Sequence, residues 1–77
     1  MSRTFTDDSL VTWEAFATGG RFGLAIRPRV VFHCVSDRSR RPRFVQLDGD
    51  ESHAEEVVHE SGTDRLRELL AESRELD

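Results

Sequence analysis

The sequence has no lysine, tyrosine or asparagine, and it has one cysteine, Cys34, in 77 residues. A single cysteine excludes an internal disulfide, the usual support of small secreted domains, and therefore favours a reducing, cytoplasmic setting. The N-terminal stretch MSRTFTDDSL has no apolar segment of the kind that a signal peptide requires. No apolar run approaches the roughly 20 residues that span a bilayer, so we expect no membrane insertion.

Cysteine and histidine side chains are not spaced for catalysis or for zinc binding. His33 and Cys34 are adjacent in an extended segment, where neighbouring side chains point to opposite faces of a sheet. The sequence contains no HExxH or CxxC pattern, and GGRFG at 19–23 lacks the spacing of a phosphate-binding loop. The acidic residues fall in predicted turns and on predicted helix surfaces, which is typical of a solvated face. We therefore expect a protein that is not an enzyme and has no cofactor.

The segment DGDESHAEEVVHE, residues 48–60, begins like a calcium-binding EF-hand loop. Acidic or hydroxyl side chains occupy the first, third and fifth positions of such a loop. The sixth position, which requires glycine for its sharp turn, is His53, and the twelfth, which requires a bidentate glutamate, is His59. A turn followed by a capped helix accounts for the same residues, so no metal site is predicted.

All 11 basic residues are arginine, and the net charge of −4 conceals an uneven distribution. Residues 1–20 carry a net charge of −2. Residues 21–47 contain seven arginines and one aspartate, which gives +6, whereas residues 48–77 contain three arginines and eleven carboxylates, which gives −8. Such asymmetry allows each part to attract a partner of opposite charge, including the other part of the same chain.

Hydropathy patterns divide the chain into a flexible N-terminal lead, residues 1–9, and a single α+β domain, residues 10–77. Alternating apolar side chains and a high content of β-branched and aromatic residues predict strands over about 10–18, 29–36 and 43–47. The short polar segment between the last two strands predicts a hairpin. We expect a small three-stranded antiparallel meander.

One or two helices are predicted after the strands. A capping box that starts at Ser52 predicts a helix over about 53–61, with Gly62 as its end. Thr63 is positioned to cap a second helix over about 64–75. Leucines at helical spacing make an apolar stripe: Leu66, Leu69, Leu70 and Leu76. Because a short sheet cannot cover its own apolar face, we expect this stripe to pack across it, in one kinked helix or two.

The order of these features, TWEAF, RVVFHC, an arginine-rich turn and an acidic leucine-rich helix, resembles small bacterial domains built as a meander with a C-terminal helix. The resemblance extends from Leu10 onward over most of the chain. Its motifs are not specific to one activity, so it implies a fold and carries no functional residue to this sequence.

The most basic stretch is DRSRRPRF, residues 37–44, at the predicted hairpin tip. Arginine and aromatic side chains are enriched at the centres of protein interfaces. The candidate partner-binding residues are therefore Trp13, Arg21, Arg38, Arg40, Arg41 and Arg43, although Trp13 is also the largest apolar residue available to the core. We expect a non-enzymatic accessory or adaptor subunit of a larger bacterial assembly, which binds another protein or a second copy of itself. The alternative is a binder of single-stranded nucleic acid or another polyanion through the same hairpin.

Overall fold

The computed structural model describes residues 2–18, 28–49 and 51–76 of the chain. In chain order its elements are β1 (Ser2–Thr6), β2 (Thr12–Thr18), β3 (Arg29–Cys34), β4 (Arg43–Gln46), α1 (Glu51–Glu60), α2 (Thr63–Glu72) and β5 (Arg74–Glu75). The strands form one antiparallel sheet in the order β1-β2-β3-β4-β5, so every strand pairs with its neighbour in sequence. The two helices are inserted between β4 and β5.

The α+β class, the antiparallel meander and the C-terminal position of the helices are confirmed, but the predicted number of strands is wrong. The sheet has five strands instead of three, because β1 forms within the expected lead, residues 1–9, and β5 forms at the end of the predicted second helix. In β1 the only large apolar side chain is Phe5, which faces the core. One inward apolar residue in five is too short a pattern to indicate a strand by alternation.

The predicted strands begin and end slightly differently in the structure. β2 begins at Thr12 and not at Leu10, because Leu10 has a positive φ of 64° and lies in the turn after β1, 84% exposed. The amide of Leu10 donates to the carbonyl of Asp7, which closes this turn. β3 ends at Cys34, two residues earlier than predicted, and the chain then enters the arginine-rich hairpin loop.

One face of the sheet packs against both helices. The strand register aligns Phe5 with Trp13, and Ala15 with Phe32, on this helix-covered face. The core that results contains Phe5, Trp13, Ala15, Val30, Phe32, Cys34, Val58, Leu66 and Leu69. Burial of each large apolar side chain contributes about 1.5–3 kcal/mol, so this layer supplies most of the favourable free energy of a small fold.

The helices are two separate elements, but their ends differ from the prediction. α1 begins at Glu51, so Ser52 lies inside its first turn and is not the N-cap of a capping box. Gly62 is not a left-handed stop; it has a φ of −73° and is the N-cap of α2, the role predicted for Thr63. Of the leucine stripe, the first two residues are buried, Leu70 is partly buried and Leu76 lies beyond the helix, after β5.

The C-terminal end of α1 is held by an arginine from the edge strand. Arg3 extends from β1 over the helix-covered face and donates from Nη1 to the carbonyl oxygens of Val58, His59 and Ser61. Carbonyls at a helix C-terminus have no partner within the helix and carry partial negative charge, so a guanidinium both satisfies and neutralises them. Arg3 thereby fixes α1 to the first strand.

Candidate interaction site

The arginine-rich loop between β3 and β4 is organised by Asp37. Its carboxylate accepts hydrogen bonds from the amide and the hydroxyl of Ser39, at 3.0 Å and 2.6 Å, and the amide of Arg40 donates to the Asp37 carbonyl. These hydrogen bonds, with the positive charge of Arg40, lower the pKa of Asp37 below its ordinary value. The loop therefore has a defined turn conformation that presents its arginines.

The loop arginines are exposed and differ in how they are used. Arg40 lies 3.5 Å from the carboxylate of Asp37, with both side chains about half exposed. Within residues 2–18, 28–49 and 51–76, Arg38 and Arg41 make no ion pair or side-chain hydrogen bond. Two of the predicted partner-binding residues are thus positive charges that the described part of the chain leaves unneutralised.

A cleft of about 440 Å³ lies beside this loop. It is lined by Arg40, Arg41 and Arg43 from the loop and β4, together with Asp7, Trp13, Ser39, Leu70 and Glu75. The structure therefore brings four of the six predicted partner-binding residues to one place. The lining is mainly polar and carries more positive than negative side chains, which suits an anionic ligand.

Trp13 contributes to the wall of this cleft from within the core. Its side chain is only 3% exposed, and its Nε1 donates to Asp7 at 2.9 Å. Trp13 is therefore part of the fold and cannot serve as a protruding anchor. Asp7 also accepts from the amides of Ser9 and Val11. Burial would raise the pKa of Asp7, but these three hydrogen bonds and the Arg40 charge outweigh it and lower that pKa.

Arg43, which was predicted to bind a partner, is engaged inside the fold. It lies on the helix-covered face, where its Nε donates to the Ser73 hydroxyl at 2.8 Å and its Nη2 to the Ser73 carbonyl at 2.6 Å. The Ser73 hydroxyl in turn donates to the Leu70 carbonyl. We call this set of contacts the Arg43–Ser73 latch. It connects the end of α2 to the sheet and was not predictable from sequence, since Ser73 is 30 residues away.

Two further candidates for ligand contact are Arg21 and Phe44. Arg21 falls outside the described residues. Phe44, a candidate for stacking on nucleic-acid bases, points to the face of the sheet opposite the helices, and the guanidinium of Arg29 lies over its ring at 4.8 Å. Phe44 is therefore on the other side of β4 from the cleft, and its ring already has a cationic partner.

The described residues offer no assembled metal centre. No group of three or more histidine, cysteine or acidic side chains in them could hold a metal ion, and His33 and Cys34 point to opposite faces of β3, as predicted. No helix in the same part of the chain is long and apolar enough to cross a membrane. Comparison with known proteins finds no matching family model, no matching curated sequence and no matching solved structure.

Proposed function

We propose that this protein is a non-enzymatic interaction module, an accessory or adaptor subunit that binds an acidic, extended segment of a partner protein in the cleft beside its arginine-rich loop. The observation that carries the proposal is the convergence of Arg40, Arg41 and Arg43 on one cleft of about 440 Å³. The single, buried cysteine agrees with a reducing, cytoplasmic setting. The proposal requires no cofactor and no membrane insertion.

The charges of the cleft indicate which part of a ligand each side chain would contact. Arg41 is exposed and has no partner among the described residues, so a ligand carboxylate would meet it without displacing an existing contact. Arg40 would have to exchange its exposed contact with Asp37, which costs little because surface ion pairs contribute about 0–1 kcal/mol. Arg43 keeps two of its donors on Ser73 and mainly contributes charge.

An acidic peptide fits this surface better than a nucleic acid does. Asp7 and Glu75 lie in the same cleft, and Asp37 stands at the centre of the loop, so a continuous phosphate backbone would meet three carboxylates. The chain as a whole has a net charge of −4, which repels a long polyanion. A short segment with separated carboxylates can instead contact the arginines and avoid the acidic side chains.

The proposal is tested by calorimetric titration of an acidic peptide of about 12 residues, rich in glutamate, aspartate and leucine. In the double variant Arg40→Ser, Arg41→Ser, which changes two arginines that line the cleft, we expect the binding to weaken by about tenfold or more. Binding of the peptide by the wild type should also weaken as the salt concentration is raised. The matched control is the single variant Arg65→Asp, which changes the net charge by the same two units but lies outside the cleft. It should bind as the wild type does.

Two further titrations separate the alternatives. A peptide of the same length with glutamine and asparagine in place of the acids should not bind. A thymidine oligonucleotide of about 12 residues should bind more weakly than the acidic peptide. Tight, salt-sensitive binding of the oligonucleotide in preference to the peptide would replace this proposal with that of a polyanion binder. If neither the acidic peptide nor the oligonucleotide binds, the cleft has no binding role of the kind proposed.

A further inference from the structure

The first strand of the sheet, β1, has an edge that no other strand covers in the described part of the chain. β1 spans Ser2–Thr6 and pairs only with β2. It contains no proline and no lysine, which are among the features that commonly protect a sheet edge from pairing with another chain. The other edge strand, β5, is protected by its length of two residues.

The hydrogen bonds show which backbone groups point outward from β1. The amide of Asp7 donates to the carbonyl of Val11, one pair beyond the paired residues Thr6 and Thr12. Because hydrogen-bonded and non-bonded pairs alternate along an antiparallel ladder, Thr6 and Thr12 form a non-bonded pair, and so do Thr4 and Glu14. The N–H and C=O groups of Thr4 therefore point away from β2.

Three contacts at this end of the sheet agree with that assignment. The hydroxyls of Thr6 and Thr12 approach to 3.3 Å, as expected for the closer, non-bonded kind of pair. The carbonyl of Thr12 accepts from the amide of Val35, so Thr12 is bonded on its β3 side. The carbonyl of Thr6 accepts from Arg67 Nε at 2.9 Å, outside the sheet. Arg67 thus covers one end of the edge, and Thr4 is left exposed.

We propose that the exposed edge of β1 is a self-association surface, at which β1 of a second copy pairs antiparallel across a two-fold axis at Thr4. In this register Thr4 exchanges two hydrogen bonds with its symmetry mate. Ser2 lies opposite Thr6, whose carbonyl keeps Arg67 Nε as its donor. The hydroxyl side chains of the two strands then form one row on the face opposite the helices. Arg3 lies opposite Phe5 of the second copy, so the two arginines do not face each other. A register centred on Arg3 would place these two positive charges directly opposite one another.

A second copy fits this edge better than an unrelated strand does. Edge-strand recognition of a foreign peptide takes its specificity from pockets for alternate side chains. The edge offers only the short side chains of Ser2 and Thr4 on one face, and on the other Arg3 is committed to the end of α1. Symmetric pairing needs no such pockets, because its specificity comes from using the same strand twice.

The pairing also ends at two copies. A dimer joined at β1 has a β5 strand at each end of the combined sheet. Beyond β5 the last described residue, Leu76, donates its amide to the carbonyl of Pro42. A two-residue strand is a poor template for further pairing, so the assembly closes instead of growing into a fibre.

Electrostatics give this dimer a salt dependence opposite to that of the arginine cleft. Both copies keep their helices on the same side of the combined sheet, and α1 packs on β1, β2 and β3. Its exposed carboxylates, Glu55, Glu56 and Glu60, are therefore brought towards their counterparts in the second copy. Salt screens such like-charge repulsion, so the dimer should become tighter as the ionic strength rises.

The test is sedimentation equilibrium of the full chain with the variant Thr4→Pro. Proline at this position removes the outward N–H without removing a hydrogen bond to β2, and proline is tolerated on edge strands in this orientation. We expect a wild-type dimer at about 1 mM chain concentration, and self-association weakened about tenfold or more in Thr4→Pro. The control Thr4→Val keeps the N–H and the β-branched shape, and should dimerise as the wild type does.

A second measurement does not depend on the folding of any variant. Hydrogen exchange of the wild-type Thr4 amide should slow as the chain concentration is raised, whereas the Asp7 amide, already bonded to Val11, should not change. A wild-type chain that remains monomeric at about 1 mM contradicts the proposal. So does a dimer that Thr4→Pro leaves unchanged, or a Thr4 amide whose exchange is independent of concentration. None of these results bears on peptide binding at the cleft.

Discussion

Asp7 lies directly after β1, and its carboxylate makes three hydrogen bonds. The donors are the Trp13 indole and two turn amides, and the positive charge of Arg40 across the cleft also helps to lower the pKa of Asp7. A single carboxylate thereby connects the turn, the core tryptophan and the arginine loop. This role of Asp7 is not visible in the sequence, because an aspartate in a polar N-terminal stretch is usually a solvated turn residue.

The lowered pKa of Asp7 predicts how stability depends on pH. A carboxyl whose folded pKa lies below its ordinary value of 3.8 stabilises the fold above that pH, and this stabilisation is lost as the pH falls through the folded pKa. The variant Asp7→Asn can still accept the indole hydrogen bond but does not titrate. We therefore expect the free-energy difference between wild type and variant to narrow as the pH drops below 3.8.

Urea unfolding monitored by Trp13 fluorescence, at pH values from neutral down to about 2.5, measures this difference. Asp37, whose pKa is also lowered, is present in both proteins, so its effect cancels from the comparison. A difference between wild type and Asp7→Asn that stays constant across this range would contradict the assigned role of Asp7.

At the scale of elements, the Arg43–Ser73 latch and β5 belong together. Arg43 and Arg41 are separated by one proline, yet Arg43 is bonded to Ser73 and Arg41 is free among the described residues. We expect Arg43→Met to lower the free energy of unfolding by about 1–3 kcal/mol, since it removes charge-assisted hydrogen bonds to Ser73, which is buried. Arg41→Met should change it by less than about 0.5 kcal/mol.

Hydrogen exchange separates loss of the latch from general destabilisation. The Leu76 amide donates to Pro42 at 2.8 Å. The substitution Arg43→Met should increase the exchange rate of this amide, relative to the wild type, by a larger factor than it increases the rates of the amides in the middle of β2 and β3. Uniform acceleration across the sheet would show that Arg43 acts on the whole core and not on β5. Equal effects of the Arg41 and Arg43 substitutions would show that the latch contributes nothing specific.

The elements that could be predicted from sequence are those with strong local patterns. The apolar runs of β2 and β3 and the leucines of α2 identified their elements, and the hairpin tip at the arginines was located correctly. β1 and β5 could not be found in this way, because each becomes a strand only by pairing with a neighbour already in place. The hydrogen bonds of Arg3 and Arg43 could not be predicted either, because their partners lie far along the chain.

For the candidate site, the sequence located the loop arginines but not their roles. Four arginines were predicted as one group because they are close in sequence: Arg38, Arg40, Arg41 and Arg43. In the structure the first three are exposed, whereas Arg43 is bonded to Ser73. The sequence left Trp13 open between interface and core, and the structure places Trp13 in the core with its indole at the cleft. Burial and hydrogen-bond partners are tertiary properties, which a spacing pattern does not contain.

At the scale of the whole molecule, the described residues show no ion pair between the arginine-rich loop and the acidic C-terminal third. In the described residues the arginines of α2 pair with Glu68, Asp64 and Asp8, and Arg40 pairs with Asp37. The hypothesis that the loop arginines pair with the chain's own acidic end therefore has no ion pair to support it there. Arg38 and Arg41 therefore carry charge that no described residue neutralises, and the proposed function rests on this observation.

The most direct measurement is a ¹H–¹⁵N NMR titration of the wild-type chain with the acidic peptide. If acidic segments bind in the cleft, the Trp13 indole resonance and the Nε–H resonances of Arg40 and Arg41 should shift together and saturate at one ligand per chain. Amides on the exposed side of α1 should stay unchanged. Absence of shifts at Trp13 and the loop arginines, or shifts confined to another surface, would contradict the claim that this cleft is the binding site.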